Sequence, residues 1–154
     1  DLVIDTCTLK HASDPKSKYF EHSIEFINKM FQNHLLCTVD EGFVWDETLN
    51  QSYIGLEYLK HLQPGTLGYN LIVHLASSQR LDFVPNKIPN NHKRYIEQII
   101  RNKKDRMFLR VTYNSTDKTL ASHDFTDYQK RKRKTIKKEL NLRIETAEEI
   151  NPEI

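Results

Sequence analysis

A chain of 154 residues, 38% hydrophobic and 29% charged, has the composition of one soluble domain built around a single core. No apolar run approaches the roughly 18 residues that cross a bilayer and no charged-then-apolar leader opens the chain, so we expect no membrane partner and a cytoplasmic location. The net charge is only +2, which excludes a uniformly basic or acidic protein, but its distribution is uneven.

The chain opens on Asp1-Leu2-Val3-Ile4-Asp5. Leu2, Val3 and Ile4 read as a central strand of a parallel sheet, buried on both faces. The run stops on Asp5, at the edge where ligands of open α/β sheets sit. An opening directly on a strand suggests a segment of a longer or processed product. Phe20, Ile24, Ile27 and Phe31 then predict an amphipathic helix over about 17–33, with one buried stripe. Leu35 to Val39 is the second strand, followed by a turn at Asp40-Glu41-Gly42. The segment 43–62 reads as helical in pieces, with Ile54, Tyr58 and Leu62 on one face and Glu47 early in the first piece.

Pro64-Gly65 breaks that pattern, and a further helix is predicted over 67–77. Leu81 to Val84 is a third strand, and 87–91 a loop. Helices follow around Tyr95 to Ile100 and from Asp105 to Tyr113. Thr119 to His123 is a fourth strand ending on Asp124, 128–140 a charged helix, 142–146 a last strand and 147–154 a tail. Strands alternating with helices predict a single α/β domain over 1–154: a three-layer α/β/α sandwich with a mostly parallel five-stranded sheet. Cys7 and Cys37 lie in or beside apolar strands and read as reduced, buried thiols, with no zinc spacing around them.

Four acids occupy positions from which such a fold could gather them. Asp5 ends the first strand, Glu47 follows the second, Asp105 opens a helix, and Asp124 ends the fourth strand. Carboxylates gathered at one sheet edge repel each other and need a cation, and hard oxygen ligands suit Mg²⁺ or Mn²⁺. For one acid alone, capping a turn or helix is the better account, and it is their combination that points to a site.

Val3-Ile4-Asp5-Thr6-x-x-Leu9, the acid after strand two, Asp105 and Leu120-Ala121-Ser122-His123-Asp124-Phe125 together resemble the PIN domain family. Val39-Asp40-Glu41-Gly42-Phe43 with Asp46-Glu47 resembles a subgroup having an Asp-x-x-Gly turn ahead of the acidic helix. The resemblance spans nearly the whole chain and implies an α/β/α nuclease dependent on Mg²⁺ or Mn²⁺. It carries metal ligands and catalysis onto Asp5, Glu47, Asp105 and Asp124. Thr6 and Ser122 would orient those carboxylates, and Asp127 would assist a second metal. Cys7 stands where the family commonly has Asn.

The implied activity is endoribonuclease cleavage of single-stranded or structured RNA, as a toxin, a defence effector or an RNA-processing enzyme. A protein inhibitor, a larger complex and a homodimer are the partners that accompany it. The alternative is a PIN-like scaffold without activity that binds RNA or protein. A haloacid-dehalogenase-like phosphatase would need an Asp where Cys7 stands, and a receiver-like domain would need a late Lys at a strand end. Lys130, Arg131, Arg133 and Lys134 could grip RNA phosphates, or could simply form a solvated helix face offsetting Glu145, Glu148, Glu149 and Glu153. Tyr113, Tyr128 and His123 are candidates for base stacking or for packing at the core's rim.

Overall fold

A computed structural model describes residues 1–154. The elements in order are β1 (Val3–Ile4), α1 (Thr6–His11), α2 (Phe20–Gln32), β2 (Cys37–Asp40), α3 (Tyr53–His61), α4 (Leu67–Ser77) and β3 (Leu81–Val84). Then come α5 (Asn90–Ile99), α6 (Lys103–Asn114), β4 (Thr119–Ala121), α7 (Lys130–Leu140), β5 (Arg143–Glu145) and α8 (Ala147–Ile150), with a 3₁₀ turn over Asn151–Glu153. The protein is α/β, and every strand pairing is parallel. β1, β4 and β5 form one sheet in the order β1-β4-β5, and β2 pairs with β3. A parallel bridge links Leu2 to Cys37 between the two, with Leu2 N donating to Leu36 O at 3.0 Å and Thr38 N to Leu2 O at 2.8 Å.

Because the strands are parallel, their carboxyl ends share one edge. Asp5 follows β1, Asp40 closes β2 and Ser122 follows β4 at that edge. The strands are short, and β1 and β4 consist of fully buried apolar or small residues apart from Thr119, which is itself buried. All 31 buried apolar residues belong to one contiguous cluster, so there is a single core.

Several boundaries differ from the sequence expectation. Residues 6–11 are helical, although six residues holding two threonines carry no helical period. The buried side of α2 is Ser23, Phe26, Ile27 and Met30, with Ile24 and Phe31 only half-buried. The helix packs against α1, α4 and α8 together, so the line of largest apolar residues falls at the flank of the contact. Residues 43–52 are not helical, and α3 starts only at Tyr53. Its start is fixed by Ser52, whose Oγ accepts from Gly55 N at 2.8 Å. Asp40 reinforces it, accepting from Tyr53 N at 2.7 Å, Ile54 N at 2.9 Å and Ser52 Oγ at 2.6 Å. Gly42 makes the turn out of β2 with φ +86°, a conformation that side chains resist. The segment 147–154 is not a loose tail: α8 packs on α2, and Asn151 Nδ2 donates to His22 O at 3.1 Å.

Candidate metal centre

Three carboxylates converge at the carboxyl edge. Asp5, Asp105 and Asp124 each present an oxygen within 4.8 Å of the others. Asp5 and Asp105 are 1% and 0% exposed, so water does not screen their mutual repulsion. β1 delivers Asp5, the first turn of α6 delivers Asp105, and the loop after β4 delivers Asp124.

Asp5 and Asp124 are each held by one oxygen, whereas Asp105 is held by neither. Ser122 Oγ donates to Asp5 Oδ2 at 2.7 Å, and Cys7 Sγ donates to the same atom at 3.4 Å. Asp5 Oδ1 is buried with no partner. Asp124 Oδ1 accepts from Thr126 N at 2.8 Å and Asp127 N at 3.1 Å. Both oxygens of Asp105 are buried without a hydrogen bond. Unpartnered buried acceptors are costly and rare in folded proteins. These three oxygens, one on Asp5 and two on Asp105, stand beside the Asp124 carboxylate as hard donors of the kind that can hold a small divalent cation.

Burial governs the charges of the cluster. Burial pushes the Asp105 carboxyl up to about 8, with the facing Asp127 carboxyl and then Asp5 adding to the shift. Burial also raises Asp5, against the lowering effect of Ser122 and Lys104. The Lys104 ammonium is opposed by its own burial, but Asp5, Asp105 and Glu57 outweigh that and raise its pKa. Lys104 is thus the positive charge of the site, unforeseen in the sequence because lysines flank so many helices.

Glu47 lies elsewhere. It is exposed in the turn after Phe43, beside Trp45 and Pro64, and its neighbour Asp46 accepts from Thr48 N at 2.8 Å and Thr48 Oγ1 at 2.7 Å. The acid that acts on Lys104 from α3 is Glu57, whose Oε2 lies 3.3 Å from His61 Nε2. Recognising Ser52 as the helix cap would have put Glu57, not Glu47, in the first turns of that helix. Thr6 Oγ1 is buried without a partner and contacts none of the carboxylates by hydrogen bond.

The basic helix also divides. Lys130, Arg131 and Lys134 are exposed. Arg133 is 8% exposed and spends its guanidinium on backbone: Nε to Tyr128 O at 2.6 Å, Nη1 to Ser122 O at 3.1 Å and Ile144 O at 3.3 Å, Nη2 to Asp124 O at 2.9 Å. It is a clamp on the loop carrying Asp124, not a phosphate ligand. Of the stacking candidates, Tyr128 is buried and donates to Asp105 O at 2.7 Å, while Tyr113 pairs with His92 at 2.7 Å. His123 is buried between Thr8 and Ala147 and is held neutral: burial, then His11 and Arg133, push it down to about 3.

Cys7 and Cys37 are free thiols, and burial pushes both up to about 12. Neither is poised for nucleophilic chemistry. No helix is long and apolar enough to cross a membrane. Set against family models, curated proteins and solved structures, the chain matches none.

Proposed function

We propose that the protein is a metal-dependent nuclease of the PIN type acting on RNA, with Asp5, Asp105 and Asp124 holding Mg²⁺ or Mn²⁺. One observation carries this reading: three carboxylates meet at the carboxyl edge, and two of them, Asp5 and Asp105, bury oxygens that no hydrogen bond satisfies. We further propose that the Leu2 bridge makes one five-stranded sheet in the order β3-β2-β1-β4-β5, covered by helices on both faces as a three-layer sandwich. In that arrangement β1 is the middle strand, which gives Asp5 the central place among the ligands.

When bound, such an ion lowers the pKa of a coordinated water and stabilises the charge that develops on phosphate. The chain's own groups do the rest. Ser122 and Cys7 fix the rotamer of Asp5 and leave Oδ1 free for the ion. The amides of Thr126 and Asp127 fix Asp124 in the same way. Asp127, facing Asp105, supplies a further oxygen at the rim. Glu57 takes the place that the resemblance gave to Glu47, and Lys104 offsets the carboxylate charge and attracts a substrate phosphate.

The test is cleavage of end-labelled single-stranded RNA in Mn²⁺ or Mg²⁺, with an EDTA control and Asp5→Asn alongside. Cutting that needs metal and vanishes in Asp5→Asn is expected. Cutting that survives Asp5→Asn would assign it to another site or a contaminant.

A further inference from the structure

An open groove of about 780 Å³ lies between the start of α2 and α7, lined in part by the residues on either side of Asp124. One wall is aromatic. The Tyr19 ring stacks on His123 with centroids 4.4 Å apart and 25° between planes, and lies 6.5 Å from Phe125 at 28°. Arg133 sits 4.0 Å from the Phe125 ring centre, which fixes that ring from behind. Tyr19 and Phe125 remain half-exposed towards the groove, although free aromatic faces are usually covered.

The rim is basic. Lys18, Lys130 and Lys134 are exposed and line the groove. None of the three forms an ion pair with a carboxylate. Two acids, Glu148 and Glu149, stand on the opposite lip, each beside a partner that also lines the groove. Glu149 accepts from Thr146 in the capping box of α8, and Glu148 lies 3.8 Å from His22. Lys18 Nζ lies 5.0 Å from the centre of the Tyr19 ring, while Lys130 and Lys134 have no ionic partner. Ammonium groups around stacked, partly exposed rings match the chemistry of single-stranded nucleic acid. Such strands are held by base–aromatic stacking and by cations along the backbone.

We propose that this groove is a subsite for single-stranded RNA, in which a base beside the phosphate at the carboxylate cluster stacks on Tyr19 and Phe125 while neighbouring phosphates meet Lys18, Lys130 and Lys134. The position of that base relative to the cut rests on the nuclease reading. Binding itself does not, because it needs no metal.

The probe is a fluorescein-labelled oligouridylate of eight nucleotides, followed by anisotropy in EDTA at two salt concentrations. The wild type is compared with Tyr19→Ala, Tyr19→Phe and Lys130→Glu/Lys134→Glu, each checked by thermal melting. Tyr19→Ala is expected to weaken binding roughly 5- to 150-fold, the worth of one stacked base. Tyr19→Phe, which keeps the ring, should bind like the wild type. The double lysine variant should flatten the salt dependence by a log–log slope of about 1.4, two contacts at about 0.7 each on a single strand.

Unchanged affinity in a folded Tyr19→Ala protein would overturn the proposal. So would absence of RNA binding by the wild type, or equally tight capture of polyglutamate that ignores Tyr19. The two readings fail separately. Tyr19-dependent binding without any metal-dependent cleavage keeps the subsite and removes the nuclease. Cleavage that tolerates Tyr19→Ala with unchanged affinity does the reverse.

Discussion

Replacing Asp105 with Asn should stabilise the metal-free protein and abolish its response to metal. Asp105 is fully buried, and its ligand oxygen lies within 4.8 Å of those of Asp5 and Asp124. At that distance two unit charges repel by about 3.5 kcal/mol with an effective dielectric of about 20, so two pairs set an upper bound near 7 kcal/mol. Lys104 offsets part of this, and the proton that Asp105 retains at neutral pH relieves more. The buried amide of Asn also needs partners. A net gain of about 1–3 kcal/mol remains, which for a chain of this size raises Tm by roughly 2–10 °C. With metal at about 100 times its Kd, the wild type should gain about 2.7 kcal/mol, and the variant should gain nothing. Differential scanning fluorimetry in EDTA, then across a Mn²⁺ titration, reads both effects. A variant that melts below the wild type in EDTA and keeps the full Mn²⁺ shift would refute the reasoning.

Arg133→Lys should cost about 3 kcal/mol in urea unfolding, because a single ammonium cannot serve four carbonyls in the guanidinium's place. It should also weaken Mn²⁺ binding roughly 10- to 100-fold by calorimetry, since the Asp124 loop loses its clamp. Glu57→Gln should lower RNA cleavage roughly 10- to 100-fold, whereas Glu47→Gln should leave it unchanged; equal losses would place the acidic turn in the site. His123 is held neutral, with its pKa pushed down to about 3. The unfolded chain takes up a proton below the usual histidine pKa of about 6.5 and the folded one does not, so the stability present above that pH is lost as pH falls. Between pH 6.5 and 5, metal-free wild type should lose up to about 2 kcal/mol more than His123→Gln, measured by chemical denaturation at each pH.

How far the sequence could be read depends on whether a signal was local. Leu2-Val3-Ile4 is an apolar β-branched run ending on an acid, and it lies where that pattern puts it, with Asp5 at its end. The helix at 67–77 and the strand at 81–84 have the expected bounds, because Pro64-Gly65 and Pro85 delimit them. Asp105 was legible as an acid in a first helical turn, and Asp124 as the acid after a strand. Glu47 was misplaced because Trp45, Leu49 and the acids between them mimic a helical face, while the chain closes an Asx turn on Asp46. The role of Arg133 could not be read among seven basic residues of one helix, since only tertiary structure brings four carbonyls to its guanidinium. Tyr19 was equally hidden: its partners His123 and Phe125 are over a hundred residues away in the chain.

The most direct test of the central claim is a crystal structure of the protein soaked in Mn²⁺, with anomalous diffraction locating the ion. A peak coordinated by Asp5 Oδ1, Asp105 and Asp124 is the predicted result. A peak only at the Asp46–Glu47 turn, or none at a saturating concentration with the three carboxylates ordered, would contradict it.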